Sequence, residues 1–324
     1  MGPWFGKGLD DMTRKTLGNY SIGWVGTGRM GFSMVSRLLQ RGCNVAVYNR
    51  TRAKAEPLTD LGASIVNSPS ELADRDIVFT MVAGSDDFIK VVAGKGGVLS
   101  RADAAPKILI DCTSVSQQAS AKVRDVAEGR GVGYLAAPVS GNAKVVNAGK
   151  LSIVASGPPG IYDEALPYLE ALGAGATYVG EGEASRIVKI CHNMLLGVVT
   201  QSLAEITVLA EKSGVSRNAF LDFLNKSVMG SVFSRYKTPA FVNLDFSVTF
   251  TPELLCKDLD LGLSAARNLG VPMPVAAQTR ELVQTMIGHG MTNTDFSELL
   301  TLQALASGID LEAENVDVDD GLQD

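Results

Sequence analysis

"SIGWVGTGRMGFSMVSRLLQRGCNVAVYNR", residues 21–50, decides the fold. Ser21–Val25 is short and apolar, and Gly26 ends it. Gly26-Thr27-Gly28-Arg29-Met30-Gly31 follows, then a run of helical spacing through Leu39. Gly42 stops that run and Asn44–Tyr48 resumes as a strand. Strand, glycine turn, helix, strand is a βαβ unit with G-x-G-x-x-G at its first turn, the context in which that motif points to a dinucleotide. Each glycine has a physical task. Gly26 allows the tight turn, Gly28 lets backbone approach a pyrophosphate, and Gly31 lets the helix pack close on the strand. Arg29 and Met30 open the helix, whose N-terminal N–H groups and dipole favour phosphate. The competing reading is a plain glycine-rich turn.

The end of the second strand bears on the cofactor. An NAD site usually carries an acid there for the ribose hydroxyls. This chain has Asn49-Arg50-Thr51-Arg52 instead. A guanidinium and a hydroxyl suit a 2′-phosphate, which a carboxylate would repel. NADP(H) is therefore expected, with NAD(H) as the alternative.

Further strands are expected at Ile77–Val82, Ile108–Asp111, Tyr134–Ala137 and Leu151–Ala155, with a helix at Ser116–Glu128. The pattern is α/β, a doubly wound Rossmann sheet over residues 21–182. Ligand contacts should come from loops after the strand ends. Those loops hold Val82-Ala83, Thr113-Ser114 and Ser140-Gly141-Asn142. After Gly182 the strand pattern stops. A helix over Glu183–Ser213, about 45 Å long, joins the sheet to an all-α C-terminal domain for substrate and dimerisation, residues 183–308. Helices are expected at Arg217–Lys226, Pro252–Leu269, Val275–Ile287 and Phe296–Ala306.

The long helix carries "RIVKICHNMLLGVV", residues 186–199. Lys189, His192 and Asn193 stand at i, i+3 and i+4 and share one face. The surrounding residues are apolar nearly all round, as in a buried helix. An ionisable group there is expensive unless it is paired, hydrated or lining a cavity. The bland alternative is that Lys189 snorkels to water. Cys191 reads as a small buried hydrophobe, and His192 as either a substrate contact or a hydrogen-bonded core histidine.

Composition bounds the rest. The chain has 324 residues, 46% hydrophobic and 20% charged, enough for two domains. A net charge of −6 offers no nucleic acid a basic footprint. Four cysteines and two histidines fall without metal-ligand spacing, and no metal is expected. The cysteine usage suits a reducing, cytoplasmic setting. No run of about 18 apolar residues suggests a membrane span. Residues 1–20 read as a leader outside the fold. Residues 309–324 read as an acidic, solvated tail, with Glu312, Glu314, Asp317, Asp319, Asp320 and Asp324 lacking a compensating base.

Four motifs in order make the chain resemble the β-hydroxyacid dehydrogenases of the 6-phosphogluconate dehydrogenase superfamily. "GWVGTGRMG" (23–31) is similar to the family's dinucleotide loop, and "APVSGNAKVVNAGKL" (137–151) to its substrate loop. "KICHN" (189–193) is similar to its catalytic helix, and "KDLDL" (257–261) to its C-terminal lysine motif. The resemblance covers roughly residues 21–306. It implies that Lys189 is the catalytic lysine, Asn193 orients substrate, and Ser140 with Gly141 holds the substrate carboxylate. It also implies that Ser114 and Lys257 lie near the nicotinamide. The implied activity is NADP(H)-dependent interconversion of a short 3-hydroxy acid and its semialdehyde, with Lys189 as general acid/base. The enzyme would resemble the 3-hydroxyisobutyrate dehydrogenases and glyoxylate/succinic semialdehyde reductases and form a homodimer or homotetramer. Three departures stand out. Asn142 replaces a glycine, Ala136-Ala137 replaces an Asp-Ala pair, and His192 replaces the commoner asparagine. Asn142 and His192 point to a small or hydroxylated substrate. An imine reductase and a non-catalytic dinucleotide-binding scaffold are the alternatives, and Lys189 weighs against both.

Overall fold

Three of the central strands, β1 (Ile22–Val25), β4 (Ile77–Thr80) and β5 (Ile108–Asp111), are buried along their whole length. They read as unbroken apolar runs because both faces of a parallel sheet are covered. In this computed structural model, which describes Leu17 and residues 20–322, they join β2 (Val45–Tyr48), β3 (Ser64–Ile65) and β6 (Gly133–Ala136). The order is β3-β2-β1-β4-β5-β6, every pair parallel. The order reverses between β1 and β4, so the crevice for a ligand lies beyond their C-terminal ends. Helices α1 (Arg29–Gln40), α2 (Ser85–Ala93) and α3 (Gln117–Glu128) make the crossovers. One core contains Trp24, Met34, Leu38 and Phe79, with the Trp24 and Phe79 rings stacked at 5.2 Å. The other contains Val78, Phe88, Val123 and Tyr134.

The run expected to continue this sheet at Leu151–Ala155 does not. It is β8 (Ser152–Ala155), the middle of a separate three-stranded sheet with β7 (Val139–Ser140) and β9 (Gly175–Tyr178). A single antiparallel bridge, Ala136 to Ser156, ties it to β6. Pro138 has no N–H to continue the ladder, and the chain leaves the parallel sheet there. Helices α4 (Ala143–Asn147) and α5 (Pro159–Leu172) connect β7 to β8 and β8 to β9.

Helix α6 (Ala184–Lys212) follows, and the chain divides within it into two compact units, Met1–Lys189 and Ile190–Asp324. The first turn of α6 belongs to the first unit because its polar side chains are bonded there. Ser185 Oγ donates to the Ala136 carbonyl at 2.9 Å, and Arg186 enters the network described below. Contrary to the expectation of no such segment, α6 is long and apolar enough to cross a membrane by length and composition. Half of that window is buried inside the protein.

Besides the rest of α6, the second unit contains α7 (Arg217–Lys226), α8 (Val232–Asn243), α9 (Pro252–Leu269), α10 (Pro274–Gly288) and α11 (Leu299–Ala306). Ser216, Ser231 and Thr251 cap α7, α8 and α9 by accepting backbone N–H bonds. The acidic tail is solvated only in part: Glu312, Asp317 and Asp319 are exposed, but the tail is tied back to the start of α7. Glu314 accepts from the backbone N–H groups of Arg217 and Asn218 at 2.6 and 3.2 Å, and the buried Arg217 guanidinium donates to the Glu312 carbonyl. A buried guanidinium needs acceptors, and the tail supplies them. Of the expected leader, Leu17 and Tyr20 are described, and neither lies outside the fold. Leu17 is buried in the first core, and the Tyr20 ring packs against Tyr168. The rest of the leader lies outside the described residues.

Candidate active site

The glycine turn after β1 is built as the sequence requires. Gly26 has φ +99°, and a Cβ there would sit 2.2 Å from the Met81 carbonyl oxygen. A Cβ on Gly31 would lie 1.9 Å from the Gly26 carbonyl oxygen, so α1 starts against the turn. Gly28 is different. A Cβ on it would meet nothing within 4 Å, so its backbone faces open space at the N-terminus of α1, which Arg29 and Met30 begin. Thr27 is buried, and its Oγ1 has no hydrogen-bond partner among the described residues. An orphaned hydroxyl and an open glycine at a helix N-terminus fit a bound pyrophosphate.

Asn49 at the end of β2 is a brace. Its Oδ1 accepts from the Thr27 N–H at 2.9 Å and its Nδ2 donates to the Thr51 carbonyl at 2.8 Å. Arg50 reaches Asp87 on α2 at 3.3 Å with its side chain largely exposed. Such a pair contributes little and leaves the guanidinium available for exchange onto an anion.

Val82-Ala83 and Thr113-Ser114 follow β4 and β5 at the same end of the sheet. The Val82 N–H donates to Thr113 Oγ1 at 3.1 Å, joining the two loops. A residue the sequence reading missed fixes them further. Arg186 is buried and donates to the Asp111 carboxylate, the Thr113 carbonyl, Tyr134 Oη and Ser120 Oγ. Asp111 also accepts from Thr80 Oγ1 at 2.5 Å and from the Thr113 N–H at 3.2 Å. Burial pushes the Tyr134 phenol up to about 12, so it keeps its proton. One guanidinium thus ties the base of α6 to the Thr113-Ser114 loop. The available signal was a charged residue at the start of an otherwise apolar helix.

Directly after β7, Gly141 has φ +137°. Asn142 caps α4, its Oδ1 accepting from the Val145 N–H at 3.1 Å. Its Nδ2 is buried with no partner among the described residues. Ser140 pairs with Ser152 at the β7–β8 edge. Part of the Asn142 departure is therefore structural.

Lys189 is half-buried and is the last residue of the first unit. In the second unit, Asn193 is buried and His192 exposed. His192 Nδ1 meets Asn193 Oδ1 at 2.9 Å, and Asn193 Nδ2 donates to Asp258 Oδ2 at 2.6 Å. Lys257 Nζ lies 3.4 Å from Asp258 Oδ1. His192, Asn193 and Lys257 are thus brought together by Asp258, which the sequence reading placed only as a neighbour of Lys257. Cys191 is exposed, not buried as expected.

Comparison with known proteins bears on the family. Residues 21–180 match the NAD-binding domain of 6-phosphogluconate dehydrogenase, and residues 180–303 match the NAD-binding part of NADP-dependent 3-hydroxyisobutyrate dehydrogenase. The chain is 31% identical to glyoxylate/succinic semialdehyde reductase 2 of Arabidopsis thaliana, over 89% of this chain and 80% of that one. It is also 31% identical to 2-(hydroxymethyl)glutarate dehydrogenase of Eubacterium barkeri, over 89% and 96%. Among solved structures, 3-hydroxyisobutyrate dehydrogenase of Mycobacterium tuberculosis with L-serine superposes with a TM-score of 0.76 at 27% identity, over 87% of this chain and 98% of that one. The Rossmann order, the open glycine turn and these relatives agree, and the chain belongs to the β-hydroxyacid dehydrogenase family as a nicotinamide-dinucleotide-dependent hydroxyacid dehydrogenase.

Proposed function

We propose that this protein interconverts a short 3-hydroxy acid and its semialdehyde with NADP(H), and that Lys189 is the general acid/base. The observation that carries the proposal lies within the first unit. The helix bearing Lys189 is anchored, one turn earlier, to the Thr113-Ser114 loop by Arg186. Lys189 is thereby held in the unit that contains the dinucleotide turn. Bound there, the dinucleotide supplies or accepts the hydride. Gly26 to Gly31 and Thr27 would hold its pyrophosphate, with Val82, Ala83 and Ser114 toward the nicotinamide.

The remaining chemistry belongs to side chains. Moving a hydride to or from carbon requires a proton to move at the oxygen, and a positioned amine can move it. As an ammonium, Lys189 polarises the carbonyl and delivers the proton. As an amine it takes the hydroxyl proton in the other direction. Ser140, Gly141 and Asn142 would receive the substrate carboxylate, through backbone N–H groups and the unpaired Asn142 Nδ2. Asn193 and His192 would orient the rest of the substrate.

NADP(H) over NAD(H) is supported by Arg50 and Thr51 standing where an acid would otherwise meet the ribose. A homodimer or homotetramer is supported by Val188, Leu195, Ile206 and Leu209, which lie exposed along α6 and suit a second copy. Light scattering in solution tests that. Four unpaired cysteines support a cytoplasmic setting, which localisation of the tagged protein tests.

The decisive experiment is Lys189→Ala. It should keep its fold and its cofactor affinity while turnover of short semialdehydes falls by about 10²–10⁴. Near-normal kcat would remove Lys189 from the chemistry.

A further inference from the structure

The second unit fixes the position of a proton. Asp258 is buried on α9. Its Oδ1 faces the Lys257 ammonium at 3.4 Å, and its Oδ2 takes the Asn193 Nδ2 bond at 2.6 Å. A carboxylate beside an ammonium has only acceptor sites to offer. Asn193 must therefore turn its NH2 toward Asp258, which aims its carbonyl oxygen at His192 Nδ1, 2.9 Å away. An amide oxygen has no proton to give. The proton of the neutral imidazole must then sit on Nδ1, and Nε2 becomes an acceptor.

We propose that Asp258, acting through Asn193, holds His192 as the Nδ1–H tautomer, so that Nε2 selects substrates bearing a second hydroxyl besides the one that reacts. The selection rests on the dehydrogenase reading above; the tautomer does not. His192 is exposed and stands at i+3 from Lys189, on the same face of α6. A group that meets Nε2 well must donate a hydrogen bond. A hydroxyl does, and a methyl of nearly the same size does not. Asp258 is a positioning residue: two hydrogen bonds separate it from the imidazole nitrogen it controls, and it is not placed against substrate.

The test begins without turnover. The chain has two histidines, His192 and His289, so protein labelled with 15N-histidine gives two imidazole spin systems, and His192→Gln assigns them. In protein without cofactor, at a pH where imidazole is neutral, His192 should show the Nδ1–H pattern. An Nε2–H pattern overturns the proposal. Asp258→Leu removes the acceptor at similar volume and should return His192 to Nε2–H, the form free histidine favours. Asn193→Leu should do the same and serves if the first variant does not fold. A tautomer unchanged in both variants overturns the relay.

The second arm is a substrate pair. Glycerate and 3-hydroxyisobutyrate differ by a hydroxyl against a methyl at C2. The wild type should prefer glycerate in kcat/KM, and Asp258→Leu should shrink that preference about tenfold, one hydrogen bond's worth. An unchanged ratio overturns the selection. If the wild type shows Nδ1–H but turns over neither acid and no semialdehyde, the dehydrogenase reading and the selection fall together, and the relay stands. If turnover is normal and the tautomer is Nε2–H, the relay and the selection fall and the dehydrogenase reading stands.

Discussion

Alanine at Gly28 tests the dinucleotide site with one methyl group. Gly28 has φ −67° and ψ −174°, a conformation alanine adopts freely, and its Cβ would touch no protein atom within 4 Å. Two small effects on folding oppose each other. Losing glycine's freedom in the unfolded chain stabilises by about 0.4–1 kcal/mol. Replacing a glycine N-cap by alanine, a poorer cap, costs a few tenths to about 1 kcal/mol. The melting temperature without ligand should barely move. The methyl does, however, occupy the side from which a pyrophosphate must approach. A loss of about 100-fold in NADPH affinity corresponds to about 2.8 kcal/mol. NADPH at 100 times the wild-type Kd stabilises the wild type by about 2.7 kcal/mol. The same concentration would stabilise the variant by only about 0.4 kcal/mol. Gly31→Ala is the control. Its Cβ would lie 1.9 Å from the Gly26 carbonyl oxygen, so α1 must shift, at about 1–3 kcal/mol of overpacking. That variant should melt lower with or without ligand. Calorimetry of the three proteins, with and without NADPH, separates the cases. A Gly28→Ala protein that keeps the full ligand-induced rise would refute the placement of the phosphates.

Arg50→Ala should weaken NADPH by about 1.5–3 kcal/mol, the worth of a charge-assisted contact, and leave NADH nearly unchanged; equal losses in titrations with both cofactors would mean Arg50 does not read the 2′-phosphate. Arg186→Lys keeps the charge but not the planar fork that spans Asp111, Thr113, Tyr134 and Ser120. It should lower kcat by about 10² through misplacement of Lys189, with NADPH affinity within a few-fold of wild type. Unchanged kcat in a folded variant would make the network purely structural. Asp295→Asn addresses the second unit, where Lys237 Nζ meets Asp295 Oδ1 at 2.5 Å. Burial pushes the Asp295 carboxyl up, but the Lys237 ammonium and bonds from Ser297 and Thr249 outweigh it and hold it below the usual carboxylate range. The lowered folded value means the stabilisation is complete above the unfolded pKa, about 3.9, and is lost as pH falls through the lower folded one. Breaking the pair should cost about 3–5 kcal/mol at pH 7. In melts from pH 7 to 3, the gap to wild type should stay constant until about pH 4 and then close; a gap already closing near pH 6 would show that another group carries the effect.

What was legible in the sequence is what local sterics force. The βαβ unit could be read because Gly26 and Gly31 each stand where a methyl group would strike backbone. The strands β1, β4 and β5 could be read because they are buried on both faces and apolar throughout. Helix α9 was readable to the residue, with Thr251 as N-cap, Pro252 in its first turn and Gly270 at φ 68° beyond its end. Helix α5 was not. Pro159 suits a first turn, but Gly160 beside it and Pro167 inside the helix are local signals against it. Burial of Tyr168, Leu169 and Leu172 overrides them. Asn142 can act as a pocket residue or as a cap, and the cap is visible only once a helical turn is known to start at Ala143.

The candidate site depends on long sequence separations. Arg186 and Asp111 are 75 residues apart, Asn193 and Asp258 65, and Arg217 and Glu314 97. No periodicity reports such a pairing. Each follows one physical rule, that a buried charge or amide must find its complement. Applied to the sequence, that rule says Arg186 and Asn193 need partners but not which ones. In the structure the two requirements are met in different cores. Arg186 is bonded within the first unit and Asn193 within the second. Lys189 falls between them, three residues after one anchor and four before the other, on a helix unbroken from Ala184 to Lys212. The helix on either side of that ammonium is fixed by the Arg186 and Asn193 bonds. On the proposed mechanism the Lys189 side chain takes and returns the proton while those anchors hold the helix, whereas the buried Lys237 is bonded to Asp295.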